Sequence, residues 1–202
     1  MAAPRTYTVF QLTDSHLSAD PAACMRGINT TDSLKAVAAL AESFAAPDAI
    51  IATGDLSQDG SEASYRRFRE VVSRPNIPLR WLPGNHDDAL MMQQCADDQT
   101  QPLRLGKWQV ILLDSQVLGA EQGAIDAESF RRLEAQLAAA DAVNEYVLLC
   151  VHHNPLRTGA KWMDTIDLTN GSELLDTLNR HPSARALIHG HIHHDFERVV
   201  GH

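Results

Sequence analysis

Cysteine is scarce. Three residues, Cys24, Cys95 and Cys150, are odd in number and have no ligand-like spacing, which argues against a disulfide framework. Cys150 closes an apolar run and reads as a small core residue. Long hydrophobic runs are also missing. The longest lies near Tyr146–Val151, far short of the roughly 20 residues that a spanning helix needs. The N-terminus, Met1-Ala2-Ala3-Pro4-Arg5, has no hydrophobic signal core. Together these absences predict a cytoplasmic protein with no membrane partner. Positive charge is in deficit as well: 17 Lys and Arg face 26 Asp and Glu, a net charge of −9, with no basic stripe. That balance points away from nucleic acid as a partner and from DNA nuclease activity. It leaves room for a small anionic substrate, because bound cations would dominate the local field.

What is present is a globular composition, 44% hydrophobic over 202 residues, enough for one sizeable α/β core. No repeat, low-complexity tract or linker divides the chain, so residues 1–202 are expected to form a single domain. Strand-like runs at Tyr7–Leu12, Ala49–Thr53, Leu79–Leu82, Tyr146–Val151 and Ala184–Ile188 alternate with helical patterns. The helices are expected from Thr30 or Thr31 to about Ala45, from Ser61 to Pro75, over Asp88–Cys95, after Asp126, and after Asn170-Gly171-Ser172. Such alternation predicts a largely parallel sheet. Leu103–Leu105 and Trp108–Leu113 read as a hairpin around Gly106-Lys107, which adds an antiparallel element.

Five short clusters follow the strand-like runs: Asp14-Ser15-His16, Gly54-Asp55, Gly84-Asn85-His86-Asp87, His152-His153 and Gly190-His191-Ile192-His193. Open α/β sheets place ligands at the carboxyl ends of their strands. The donors are carboxylate, imidazole and amide without thiolate, a set suited to divalent Mn, Fe, Zn or Co at a catalytic site. Asp14 and His16, two residues apart in an extended segment, would face one side and reach one ion. Asp55 has two oxygens and can bridge two ions. Asp14, His16, Asp55, Asn85, His152, His191 and His193 give seven donors; with Asp55 used twice, each of two metals receives four bonds and keeps open positions. Alone, each cluster reads as a turn or a helix cap; their ordered recurrence on strand ends is what signals a metal site.

The ordered set D-x-H, G-D, G-N-H-D, H and G-H-x-H resembles the signature of the calcineurin-like metallophosphoesterases. The flanks Leu12–Leu17, Gly27–Thr30, Ala52–Asp59 and Trp81–Asp87 narrow the likeness to the class III cyclic-nucleotide phosphodiesterases, and Leu112–Gln116 and Trp162–Asn170 to their bacterial cyclic AMP-hydrolysing members. The resemblance implies a four-layer α/β/β/α sandwich with two divalent ions per chain, Mn or Fe favoured and Zn or Co possible. It assigns Asp14, His16, Asp55 and His193 to the first ion, and Asp55, Asn85, His152 and His191 to the second. His86 would bind no metal but sit over the substrate phosphate, as a charge stabiliser or as proton donor to the leaving oxygen; Asn85 would share in substrate binding. Asp87 would orient His86 through a ring nitrogen. Gly27–Thr30 and Trp162–Asn170 would wall the substrate site.

The implied reaction is hydrolysis of a phosphodiester, foremost 3′,5′-cyclic AMP to 5′-AMP, by hydroxide held between the metals. Other phosphoesterase substrates (2′,3′-cyclic nucleotides, nucleotides or phospholipid headgroups) are the alternative. A non-catalytic binding module is disfavoured by the intact donor set, and a protein phosphatase by Asp87, where that branch carries Glu. The chain stops nine residues after His193, whereas members of the family generally continue for several tens of residues. A short second sheet with an open edge, and a homodimer formed through it, are therefore expected.

Overall fold

A computed structural model describes residues 5–96 and 102–201. Its elements in chain order are β1 (Val9–Leu12), β2 (Cys24–Met25), β3 (Ile28–Asn29), α1 (Thr30–Ala41), β4 (Ala49–Ala52), α2 (Glu62–Val72), β5 (Leu79–Trp81), α3 (Ala89–Cys95), β6 (Leu103–Leu105), β7 (Trp108–Leu112), α4 (Ala127–Ala142), β8 (Tyr146–Cys150), α5 (Gly171–Asn179) and β9 (Ala184–Ile188). A 3-10 turn at Met163–Thr165 precedes α5. The strands form two principal sheets. One is wholly parallel in the order β1-β4-β5; the other runs β6-β7-β8-β9, with β6 antiparallel to β7 and the rest parallel.

The side-chain alternation of each strand explains the layering. In β4, Ile50 and Ala52 pack with Leu34 of α1 and Tyr65, Phe68 and Val72 of α2, while Ala49 and Ile51 face the other sheet. In β8, Val147 and Leu149 pack with Leu133, Leu137 and Ala140 of α4 and Leu174 of α5, while Leu148 and Cys150 face back toward β4. A strand buried on both faces must read as a continuous apolar run, as Ala-Ile-Ile-Ala and Tyr-Val-Leu-Leu-Cys do. Three core layers result, and the architecture is helix, sheet, sheet, helix. Each Leu or Phe fully removed from water adds about 1.5–3 kcal/mol.

Several boundaries differ from the sequence reading. Asn29, not Thr30 or Thr31, caps α1 by accepting from the Asp32 amide at 2.8 Å. The helix ends at Ala41, well before Pro47, and the chain reaches β4 through turn and coil. The β2–β3 hairpin, two residues a side, is too short to give a periodic signal. Ser61, Asp88 and Asp126 cap α2, α3 and α4 with their side chains, as their positions before apolar helical stripes require. Apart from Pro102, the polar loop expected at Asp97–Pro102 lies outside the described residues.

Candidate metal centre

The parallel topology brings the carboxyl ends of β1, β4, β5, β8 and β9 to one end of the sandwich. The clusters therefore gather at the ends of two sheets rather than along the edge of one. The loops after β1 and β4 run side by side: Asp14 N donates to Gly54 O at 3.0 Å, His16 N to Asp55 O at 2.9 Å and Leu17 N to Leu56 O at 3.0 Å. A seam joins the sheets, where Gln11 Nε2 donates to Thr53 Oγ1 and to His189 O, both at 2.8 Å.

Asp14 and His16 are not extended. Among the described residues with positive φ that are not glycine stand Asp14 (54°), His16 (44°), Asp55 (51°), His191 (73°) and His193 (52°). An L-residue adopts this left-handed region at a cost, and such residues cluster where function holds them. The extended reading of Asp14-Ser15-His16 is thus corrected: the left-handed turns re-aim side chains that pleat alternation alone would not converge.

The convergence has a definite chemistry. His152 Nδ1 lies 2.7 Å from Thr53 O, and His191 Nε2 lies 2.9 Å from Ile166 O. A carbonyl only accepts, so each of these nitrogens carries the proton. The opposite nitrogens are therefore lone pairs in the neutral rings, yet His152 Nε2 and His191 Nδ1 point at each other 3.2 Å apart. Asn85 Oδ1 at 3.3 Å and Asp55 Oδ2 at 3.5 Å aim at the same His152 nitrogen. Four acceptors facing one another demand a positive charge between them. A second set repeats the pattern: His16 Nε2 lies 3.1 Å from His193 Nε2 and 3.7 Å from Asp55 Oδ2, and His193 Nε2 lies 3.1 Å from Asp14 Oδ1. Asp55 belongs to both sets. The donors fit divalent ions, and the outer bonds to Thr53, Ile166 and Gln58 fix ring orientation as metal-binding histidines require.

Electrostatics agree. His152 is fully buried, and burial alone would lower its pKa, but the Asp55 carboxylate beside it raises it to about 9. Burial, reinforced by His152, lowers His191 to about 4. His193, more exposed, is raised by its bond to Asp14. Asp55 is held well below the usual carboxylate range: the neighbouring His152 and the His86 amide outweigh the opposing effect of burial.

Two glycines of the motifs are required by space. A Cβ on Gly84 would lie 2.2 Å from Asp55 Oδ1, and one on Gly54, whose φ is +95°, would lie 2.4 Å from His152 Nδ1.

The remaining candidates divide. His86 is exposed, and one of its ring nitrogens lies within 4.8 Å of ligand atoms of His16 and Asp55. Its expected partner Asp87 points elsewhere. The buried Asp87 carboxylate accepts from the amides of Leu56 (3.2 Å), Ser57 (2.9 Å) and Gly84 (2.9 Å) and from Tyr65 OH (3.1 Å), and burial pushes its pKa up to about 6. These bonds pin the G-N-H-D turn to the loop after β4. The ring of His86 is instead met by Gln58, whose Nε2 lies 3.2 Å from His86 Nδ1. Gln58 stood among the flanking residues of the G-D motif, but nothing in its spacing announced this contact. His153 is a satisfied core histidine: its Nδ1 meets Ser115 Oγ at 2.8 Å, its Nε2 meets Glu121 O at 3.1 Å, and burial lowers its pKa to about 3. His181, His189 and His194 bond Asp141, Gly190 O and Ile192 O respectively; His202 is outside the described residues. The segment Trp162–Asn170 is tied to the centre through Ile166 O, and it exposes Trp162 at 62%.

The model of the calcineurin-like phosphoesterase family matches residues 7–195, and the chain belongs to that family. More particularly, it is 41% identical over 196 residues to the 3′,5′-cyclic adenosine monophosphate phosphodiesterase CpdA of Pseudomonas aeruginosa, spanning 95% of this chain and 71% of that one. It is 33% identical over 196 residues to the 3′,5′-cyclic-nucleotide phosphodiesterase alr5338 of a Nostoc strain, spanning 95% and 73%. A dimetal phosphatase from Danio rerio shares the fold at a TM-score of 0.66 and 17% identity, over 93% of this chain and 82% of the other.

Proposed function

We propose that this protein is a dinuclear-metal phosphodiesterase that hydrolyses 3′,5′-cyclic AMP to 5′-AMP. The observation that carries the reading is the pair of acceptor clusters sharing Asp55, in a chain similar along nearly its whole length to named cyclic AMP phosphodiesterases. Asp14, His16, Asp55 and His193 would hold one divalent ion, and Asp55, Asn85, His152 and His191 the other. Mn or Fe are the favoured ions, with Zn and Co compatible with the same donors. Bound there, they would supply Lewis acidity and a nucleophile active at neutral pH.

The protein's own groups do the rest. Thr53, Ile166 and Gln58 hold the histidines in the tautomers that aim lone pairs inward. The bonds of Asp87 to three backbone amides keep Asn85 and His86 at the mouth of the site. Asn85 and His86 face the phosphoryl group and offset its growing negative charge. Water oxygen bonds to phosphorus, the bond from phosphorus to ribose O3′ breaks, and O3′ leaves with a proton. Gly27–Thr30 and Trp162–Asn170 would wall the nucleoside, with Trp162 as a stacking surface. A cytoplasmic location belongs to the same proposal.

The test compares 3′,5′-cyclic AMP, 2′,3′-cyclic AMP and an aryl phosphodiester in the presence of Mn²⁺, with Asn85→Ala as control. Asn85-dependent turnover of 3′,5′-cyclic AMP is expected, falling about 10²-fold or more in the variant. Turnover of the aryl ester alone would remove cyclic AMP as substrate; no Asn85-dependent turnover of any of them would remove the enzyme reading.

A further inference from the structure

One contact bears on the two roles open to His86, proton donor or charge stabiliser. The side-chain amide of Gln58 lies between two histidines: Oε1 is 2.9 Å from His16 Nδ1, and Nε2 is 3.2 Å from His86 Nδ1. Its backbone is fixed, with Gln58 N donating to Leu17 O at 2.7 Å. The two rings meet edge to face at 5.1 Å.

The amide can be read only one way. His16 Nε2 faces His193 Nε2 and Asp55 Oδ2, the acceptor cluster that calls for a cation. With that nitrogen presenting its lone pair, the ring proton of His16 sits on Nδ1 and is donated to Gln58 Oε1. A flipped amide would set N–H against N–H. The NH₂ group of Gln58 is therefore turned to His86, and it donates to His86 Nδ1. A nitrogen that accepts a hydrogen bond from an amide holds no proton of its own. The proton of His86 is left on Nε2, for which no protein partner exists among the described residues.

We infer that Gln58 is a positioning residue that locks His86 into the Nε2–H tautomer, so that His86 acts as a hydrogen-bond donor to the phosphoryl group and not as a proton donor to the leaving oxygen. A ring in that state carries its single proton on the nitrogen that faces the substrate, where it donates a hydrogen bond and keeps the proton. The reaction balances without it. The attacking water loses one proton and O3′ gains one, both exchanged with solvent, and the ring never changes charge. A carboxylate in place of Gln58 would reverse the arrangement, because it would accept from both rings and draw the His86 proton to Nδ1.

The inference rests on the phosphodiesterase reading for the role of His86, but the tautomer lock is tested without any substrate. Nitrogen-15 spectra of the zinc-loaded protein report which ring nitrogen bears hydrogen. His86 is expected to show a bare Nδ1 and a protonated Nε2 in the native protein, and to shift its proton toward Nδ1 in Gln58→Glu, a near-isosteric change that keeps the acceptor for His16. A proton on Nδ1 in the native protein, or an unchanged tautomer in Gln58→Glu, would overturn the lock. The role is tested by the leaving group. His86→Ala is expected to lower kcat on cyclic AMP, with its poor alkoxide leaving group, and on an aryl diester, with its good one, by factors within about threefold of each other. A loss at least about tenfold greater on cyclic AMP would mean proton donation and sink the proposed role. Gln58→Leu, with metal content intact, is expected to lower kcat about tenfold at nearly constant KM; native kcat would count against any positioning by Gln58.

Discussion

His152 is the residue whose surroundings say most. Its Nε2 faces an amide oxygen, a carboxylate oxygen and another ring nitrogen, so either a proton or a metal ion must sit there. With a pKa raised to about 9, it holds the proton when no metal is bound. Metal binding must displace that proton, so affinity should climb as pH rises toward about 9, with about one proton released per chain from this ring at pH 7. Calorimetric titrations in buffers of different ionisation enthalpy measure the release; a pH-independent affinity between 6 and 8 would refute it. The sign for stability is opposite. In the metal-free protein this raised pKa contributes stability fully below pH 6.5, and that contribution is lost as pH rises through about 9. Gly84 gives a second expectation. The 2.2 Å approach of a Cβ to Asp55 Oδ1 means that Gly84→Ala displaces Asp55, the proposed shared ligand, and metal affinity should fall about 10–100-fold while the fold persists. At this scale donor type and order are local facts, so the sequence could nominate the side chains that the structure then gathers. It did not show that Gln58 rather than Asp87 meets His86. That depends on the turn between two strands, and Asp87 is committed to three backbone amides that no spacing rule reveals.

Elements were legible where their signal was long. The helix starts at Ser61 and Asp126 stand where the sequence placed them, as does the turn at Gly106-Lys107 between β6 and β7. The left-handed backbone at five of the proposed ligand positions was not legible, since Asp and His tolerate but do not demand it. Tyr65 shows how an element supports the site. From the buried face of α2, its hydroxyl donates to Asp87 Oδ1 at 3.1 Å and accepts from Asp88 N at 2.8 Å, the residue that caps α3. Tyr65→Phe keeps the packing and removes both bonds. It should cost about 1–3 kcal/mol of stability in denaturant unfolding, because it leaves a buried carboxylate short of a donor. A loss below about 0.3 kcal/mol would show that the turn does not depend on it.

For the molecule as a whole, the alternation of strand-like and helical runs predicted a largely parallel sheet, while the four-layer sandwich came from the family resemblance; which face of each strand meets which layer needed the tertiary register. β9 pairs only with β8 among the described residues, and Arg185 and Ala186 on it are exposed. We propose that two copies associate along this edge. Sedimentation should show a concentration-dependent dimer that Ala186→Lys weakens at least about tenfold; a native monomer at all concentrations would dismiss it. The sharing of donors between sheets has a larger consequence. Asp14, His16, Asp55 and Asn85 follow strands of the first sheet, and His152, His191 and His193 follow strands of the second. Each acceptor cluster draws on both, and the two sheets occupy separate, contiguous halves of the chain. The ions would thus serve as rivets between two half-molecules. Cut into fragments ending at Ala96 and beginning at Pro102, the protein should reassemble on addition of Mn²⁺ and fall apart with a chelator, which would make a hydrolytic centre into a metal-gated switch for fragment complementation.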